Sequence, residues 1–498
     1  MIKSKSARIG QLQFAAASSA AEPRQFRRSQ ARLTLDERGV YHTRFEFVHR
    51  GGNVEATQVA IVGMGTVGSG VARILTDHAD RVARHAGRVL ALKRVVVRDL
   101  AKARARYPAL ASQVLTTDLR QVTSDPEIRV VAQLIGGLDP ARSIMLQLLE
   151  SGKDVVTANK ALLAQHGPEL FERARKLGRC IAFEASVAGG IPIIANISQC
   201  LTANQITSLR GILNGTSNFI VSQMEEHGRD YAEALREAQR LGYAEADPAM
   251  DVDGSDAAQK LAILAHLAFG AHVDWARIPR VGIDSLSAVD LASARDLGYR
   301  IKLLAVAQLE GNDLELHVSP TLVRIGTPLA EVRGAYNAVS VVGDIVGHVF
   351  YHGLGAGQMP TASAVTADMI DIVVGRMPIT FRTTELWSDK KPRVDLTDHA
   401  QARSRYYIRL IVDDRPGVLA EITGILGRQK ISVASVIQRE VQGIEAPEPV
   451  ESSDAAQAAV SLVIMTHTAS EGAAVAAIRE IDTLDSVRGP SIRMRVID

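Results

Sequence analysis

The residues best placed to do chemistry lie in one stretch, 242–260, reading GYAEADPAMDVDGSDAAQK. Five acids, Glu245, Asp247, Asp251, Asp253 and Asp256, crowd a turn-rich segment that ends at Lys260. Asp256 and Lys260 stand four positions apart at the head of the apolar run AAQKLAILAHLAF, so a helix there puts them on one face, a turn apart. The ordinary reading of that spacing is an exposed ion pair of little energetic weight. Yet the carboxylates are denser than solvating a loop requires, and Lys260 opens a helix that is otherwise apolar. A lysine set among carboxylates can move a proton, and carboxylates can hold a cationic group.

Those residues need elements to hold them. Residues 231–241 are predicted as a helix with Leu235 and Ala238 inward, delivering the acidic stretch, and the following helix runs through Phe269. His266 lies in that helix with no second ligand to complete a zinc pattern, so a structural role is expected. Upstream, residues 57–61 (TQVAI) read as a buried strand entering Gly63-Met64-Gly65-Thr66-Val67-Gly68, followed by a helix through Val71, Ile74 and Leu75. This is a Gly-x-Gly-x-x-Gly turn in its informative context, strand before and helix after, and it predicts a Rossmann-type site for a dinucleotide pyrophosphate. The next strand, 90–97, ends at Arg98-Asp99. An arginine there suits the extra phosphate of NADP, while the adjacent acid leaves NAD open, and a solvated basic turn is the plain alternative. Strand 129–135 ends in Gly136-Gly137, a helix covers 140–150, strand 154–157 runs into Ala158-Asn159-Lys160, and strand 179–183 ends at Glu184. The alternation predicts an α/β doubly wound sheet with functional residues such as Gly136, Thr157 and Lys160 at strand ends.

After residue 191 the pattern changes. Strand 206–213 leads to Asn214-Gly215-Thr216-Ser217-Asn218 and a helix over 219–226; Thr216 is either a contact to the ligand or, with Ser217, a helix N-cap. Segments 302–308, 314–318, 339–342 and 345–350 alternate as an antiparallel α+β sheet would. A glycine-rich run at 354–362 then opens a helix ending near Val374. Residues 376–403 are polar and aperiodic, as a linker would be. Beyond them, 407–412, 418–426, 431–438, 458–466, 471–481 and 492–496 read as β-α-β-β-α-β, with a hairpin tip at 445–457.

The run Ala238, Gly242, Tyr243, Ala244, Asp247-Pro248, Asp251-Val252, Gly254, Asp256 and Lys260 resembles the homoserine dehydrogenase signature at every defining position. The resemblance extends over residues 57–498. It implies that Lys260 protonates the aldehyde oxygen, that Lys160, in VVTANK, stands near nicotinamide and substrate, and that Glu245 and Asp256 hold the amino acid, with Asp251, Tyr243 and Thr216 beside them. It further implies a monovalent cation, Na+ for preference, on Glu184 and the carbonyls of Val187, Gly189 and Ile191, and a closing contact from Gly357 to the cofactor. The C-terminal segment DDRPGVLAEITGIL resembles the hallmark of the ferredoxin-like ACT domain, which pairs with copies of itself and binds amino acids at the seam. Asp414 and Gly417 are then effector contacts, with threonine the expected effector; a purely dimerising domain remains the alternative.

The organisation expected is therefore an extension (1–56), a dinucleotide domain (57–191 plus 355–375), a substrate and dimerisation domain (192–354), a linker (376–403) and an ACT domain (404–498). A net charge of +2 on 498 residues is close to balance, which argues against a nucleic acid or other polyanion as partner. No apolar run reaches the ~18–20 residues of a membrane span. Cys180 and Cys200 lack metal or redox spacing and fit a reducing cytoplasm. The Arg/Ser/Ala-rich start mimics a transit peptide but lacks an apolar signal core, so a flexible extension, or a true start near Val54, is expected. With no kinase-like portion ahead of the glycine turn, a monofunctional dehydrogenase is expected, as a homodimer or homotetramer. Two rivals stand against this. A hydroxy-acid dehydrogenase needs a histidine–acid pair that no histidine here is placed to make. A dinucleotide- and amino-acid-binding sensor would leave the acid-rich Lys260 site unexplained.

Overall fold

The glycine-rich turn sits at the centre of a six-stranded parallel sheet. In this computed structural model, which describes residues 31–35, 41–45, 55–108, 110, 113–384, 386–387, 392–440 and 459–498, the strands run Leu115–Thr116, Val89–Val96, Ala56–Val62, Ile128–Gln133, Asp154–Thr157, Ile181–Ala182 across the sheet. In chain order that is 3-2-1-4-5-6, the doubly wound arrangement whose switch point falls between Ala56–Val62 and Ile128–Gln133. Val59, Ala60 and Ile61 have no exposed surface because helices cover both faces. Residues 1–55 form a separate unit, of which an antiparallel hairpin, Ala31–Leu35 with Tyr41–Phe45, is described. The rest of this extension lies outside the described residues, as does the hairpin tip 445–457.

The second sheet is mixed and longer than the sequence suggested. Its order is Gly347–Leu354, Tyr336–Gly343, Ile206–Ile212, Tyr299–Glu310, Asp313–Arg324, then Ile492–Ile497, Arg403–Asp413, Ala459–Thr466, Val433–Glu440. The last four strands, with helices Val418–Arg428 and Glu471–Ile481, are the βαββαβ unit, and they enclose a core of their own around Ile408, Ile422, Ile464 and Ala477. Yet Thr321–Val323 pairs in parallel with Arg495–Ile497, so one ladder crosses from the second domain into the C-terminal unit. Buried charges fasten that seam. Arg495 pairs with Glu315 and, at 2.9 Å, with Glu471, while Arg409 meets the buried Asp290 at 2.6 Å. Strand Asp313–Arg324 also outruns its expected end at Val318: Pro320 breaks the alternation but not the ladder, in which it faces Leu303.

Two expectations fail locally. Helix Gly215–His227 starts four residues early, because Asn214 rather than Thr216 or Ser217 caps it, its side chain accepting from Ser217 N at 2.7 Å. Residues 376–403 are no free linker: Arg376–Thr383 is a helix with Phe381 buried, and Leu386 and Trp387 are buried too. Trp387 stacks on His266 (4.6 Å, 3°) and fills the space over Gly167, where a Cβ would lie 2.8 Å from its ring. Arg175 donates to the Leu386 and Trp387 carbonyls at 2.6 and 2.9 Å. The wedge therefore joins helix Lys160–Lys176 to helix Ser255–Phe269. His266 is buried, with its ordinary value lowered by burial to about 4; its Nδ1–H donates to the Ala271 carbonyl and Nε2 accepts from Trp387 N. Its role is structural.

The chain returns to the first domain through helix Gln358–Val373, which lies on helix Thr66–Asp77. Gln358 Nε2 donates to Ser69 Oγ at 2.8 Å, and a Cβ on Gly70 would sit 2.8 Å from that of Ala362. Gly70→Val should overpack this crossing and cost about 1–3 kcal/mol, measurable as a lower denaturant midpoint with unchanged slope.

Candidate functional site

The dinucleotide end of the site is built by close approach. A Cβ on Gly68 would lie 2.1 Å from the Gly63 carbonyl oxygen, and Gly63 itself takes φ +103 with its N–H bonded to Val96 O at 3.0 Å. Nothing stands within 4 Å of a Cβ on Gly65 or Gly136, so both turns open onto free space. Helix Thr66–Asp77 has no side-chain cap and no acid in its first turn, leaving its amides for an anion. Met64 and Val67 flank the turn half-buried, and the Met64 carbonyl accepts from Tyr107 OH at 3.3 Å. Arg98 is exposed at the end of the next strand. Its neighbour Asp99 caps helix Leu100–Arg106, accepting from Lys102 N at 2.9 Å, and is thus committed locally. Gly357, at φ +125, opens the returning helix beside this end.

From there a continuous line of contacts leads to the lysines. Gly63 abuts the Leu134 carbonyl, one residue before Ile135-Gly136-Gly137. Asn159 donates to the Ile135 and Gly137 carbonyls at 2.9 and 2.7 Å and caps helix Lys160–Lys176 through Leu162 N. Thr157, buried, donates to Gln133 and supports Asn159 N. Lys160, the first residue of that helix, reaches Asp256 Oδ1 at 3.0 Å. Asp256 Oδ2 accepts from Lys260 at 2.6 Å and from Asn214 at 2.9 Å. Lys260 also donates to the Leu213 carbonyl at 2.7 Å. Asp256 is almost wholly buried (7 %) and Lys260 nearly so (12 %), whereas Lys160 is partly open (37 %).

One carboxylate therefore meets two ammonium groups from two domains. Burial pushes the Asp256 carboxyl up, but Lys260 and Lys160 outweigh it and hold it at about 2. The Asp256 charge in turn holds the Lys160 ammonium above its ordinary value against burial, with smaller contributions from Asp251 and Glu245. Asp251 is pushed up by burial while the Asn214 hydrogen bond at 2.8 Å works against it. Glu245 and Tyr243 are exposed at the rim. Thr216 Oγ1 donates to the Tyr243 carbonyl at 2.7 Å, and the Tyr243 ring packs on Phe219. Asp253 spends its carboxylate on Ser255, and Asp247 on Ala249 N, so these two shape the loop rather than the site. Gly254 begins helix Ser255–Phe269 at φ +85, against Val318.

Glu184 lies elsewhere, buried at the crossing of the two domains. Its oxygens accept from Ile194 N and Ala195 N at 2.9 and 2.8 Å, and burial raises its carboxyl to about 7. The loop through Val187, Gly189 and Ile191 is held by Gly189 N and Gly190 N on the carbonyls of Gly355 and Leu354; the Ile191 carbonyl already accepts from Ile193 N. A cavity of about 470 Å³ opens beside Glu184 and Asp368, and none of Lys160, Asp256 and Lys260 lines it. Asp414 and Gly417 are exposed in the C-terminal unit, Asp414 accepting from Gln438 at 3.3 Å and Gly417 at φ +97 before helix Val418–Arg428. Sequence reasoning passed over Asn159 and Asn214 as functional residues. Each precedes a helix by one position, and that capping position was the available signal.

Fold and site together define a dinucleotide-dependent oxidoreductase carrying an ACT domain. Residues 192–370 match the family model described as Homoserine dehydrogenase, residues 63–184 that of the Homoserine dehydrogenase NAD binding domain, and residues 406–483 the ACT domain. The chain is 41% identical over 460 residues to the homoserine dehydrogenase of Pseudomonas aeruginosa, covering 89% of this chain and 99% of that one. The crystal structure of a homoserine dehydrogenase from Thiobacillus denitrificans aligns with TM-score 0.80 and 43% identity over 89% of this chain and 99% of the other. A hyperthermophilic archaeal homoserine dehydrogenase mutant in complex with NADPH aligns over 64% of this chain and 97% of its own, at TM-score 0.54 and 26% identity. The chain belongs to the homoserine dehydrogenase family. No helix among the described residues is long and apolar enough to cross a membrane.

A carboxyl held at about 2 instead of near 3.8 contributes about 2 kcal/mol to folding, present above pH ~4 and lost as the pH falls through about 2. Denaturant midpoints should therefore drop less steeply between pH 4 and pH 2 in Asp256→Asn than in the wild type; equal slopes would show that this carboxyl is not held down.

Proposed function

We propose that the chain interconverts L-homoserine and L-aspartate 4-semialdehyde reversibly, using NADP in preference to NAD, within threonine and methionine biosynthesis. The carrying observation is the Asp256 carboxylate between Lys160 and Lys260, at the end of a line of contacts from the glycine turn. When bound, NADPH supplies the hydride. Lys260 holds a proton at the substrate oxygen, and Lys160, at the nicotinamide side, shares the stabilisation of the developing alkoxide. Glu245 and Asp256 hold the amino-acid substrate with Asp251 beside them, and Asp256 also spaces the two lysines. Tyr243 and Thr216 shape the rim. Gly63 to Gly68 and Gly136 seat the dinucleotide and Gly357 closes on it. The exposed Arg98, beside an Asp99 committed as a helix cap, favours the extra phosphate of NADP.

The same reading extends beyond the lysines. An oxygen-only set, the Glu184 carboxylate with the Val187, Gly189 and Ile191 carbonyls, suits a hard monovalent cation such as Na+, and the raised, buried Glu184 carboxyl would gain from one. The exposed edge strand Gly347–Leu354, with Ile345 and Val346 uncovered beside it, supports pairing of two copies through this sheet. The ACT domain would take threonine at Asp414 and Gly417 and inhibit. Because its last strand completes the second domain's ladder, a point substitution tests this more cleanly than deletion of residues 404–498.

Purified protein should consume NADPH when given aspartate semialdehyde. Lys260→Ala should lose turnover with NADPH binding intact, and Glu245→Ala should mainly raise the KM for homoserine; intact turnover in the former would overturn the assignment. Threonine should slow the wild type more than Asp414→Ala, and identical titration curves would remove the regulatory role.

A further inference from the structure

Residues 213 and 214, at the end of strand Ile206–Ile212, hold both halves of the Asp256–Lys260 pair. The Leu213 carbonyl accepts from Lys260 Nζ at 2.7 Å and from Asn337 Nδ2 at 3.0 Å. Next to it the Asn214 side chain, itself buried, uses every hydrogen it has. One Nδ2 hydrogen goes to Asp251 Oδ1 at 2.8 Å and the other to Asp256 Oδ2 at 2.9 Å, while Oδ1 accepts from Ser217 N at 2.7 Å.

We propose that Asn214 is a positioning residue for the reduction, its amide holding the Asp251 and Asp256 carboxylates side by side so that Asp256 presents both lysines to the substrate. This rests on the reading of function above. Two carboxylates brought together in a buried setting repel, and a neutral group that donates to both relieves the repulsion without adding charge. Among side chains of this length only a primary amide offers two donors at one end and an acceptor at the other. A serine or an aspartate would cap the helix as well as asparagine does. Neither could donate to both acids.

That difference separates positioning from capping. Asn214→Asp keeps the volume and the cap oxygen, removes both donors, and sets a third carboxylate against Asp251 and Asp256. The charged groups around it are Asp251, Asp256, Lys260, Lys160 across the domain cleft, and Glu245 at the rim. At neutral pH its kcat should fall by ~10²-fold, the scale of a misplacement of about 1 Å in a reacting site. NADPH binding should stay near that of the wild type, while the added buried charge lowers the thermal midpoint at neutral pH. Its rate should recover in part as the pH is lowered and the new carboxyl becomes a donor. Asn214→Ser should show a comparable loss without that recovery. Wild-type turnover and an unchanged pH profile in Asn214→Asp, or wild-type turnover in Asn214→Ser, would overturn the proposal and leave Asn214 a helix cap. Carbon NMR of the Asp256 carboxyl reads the same contact without any substrate. That carboxyl should titrate at higher pH in Asn214→Asp than in the wild type, and an identical titration would overturn the positioning role. A wild-type enzyme inactive on the semialdehyde, with that NMR difference present, would instead fault the choice of substrate.

Discussion

A buried carboxylate bound to two ammonium groups is the constraint on which this molecule depends. Asp256 cannot stay ionised out of water without cationic partners, and its two partners come from different domains, Lys260 from its own helix and Lys160 from the dinucleotide domain. The helices bearing them must therefore be fixed to each other. That is achieved well away from the charges, by Trp387 stacked on His266 and seated over Gly167, with Arg175 holding its backbone. The apolar wedge sets the spacing, and the electrostatics take effect within it.

The legible parts of the chain were those whose signal is local. The glycine turn between strand and helix, the acidic run closing on Lys260 and the Asp-Arg-Pro-Gly helix start each carry their meaning within about twenty residues, and the doubly wound sheet and the βαββαβ order followed from such pieces. What was missed depends on distant partners. Trp387 lay within a segment that reads as a polar, aperiodic linker, because its sockets lie more than a hundred residues upstream on two helices. Asn214 looked like part of a turn, since its acceptors are 37 and 42 residues further on. Nothing in the C-terminal segment announces that Arg495 pairs with a strand of another domain. Pro320 further hid how far that strand runs.

The shared strand Asp313–Arg324 gives the molecule a second unifying feature. On one side Thr321–Val323 meets the ACT domain's final strand, and Glu315 meets Arg495. Further along, Val318 exchanges hydrogen bonds with the 279–281 segment, at 2.9 Å each way. That segment continues to Ile283, whose N–H bonds to Val252 O at 2.9 Å, within the acidic loop, and Gly254 is pressed against the Val318 side chain. The loop that ends in Asp256 is thus braced from two directions, by Asn214 on one flank and by this strand on the other. Hydrogen bonds joined by short backbone segments thus link the ACT domain to it.

The most direct test is a crystal structure of the protein with NADP and homoserine bound together. The substrate hydroxyl should lie within hydrogen-bonding reach of the Lys260 ammonium and close to the nicotinamide ring, with Asp256 still touching both lysines. A substrate oxygen lodged away from both ammonium groups, or a nicotinamide unable to approach them from the Gly63–Gly68 turn, would contradict the role given to this charge cluster.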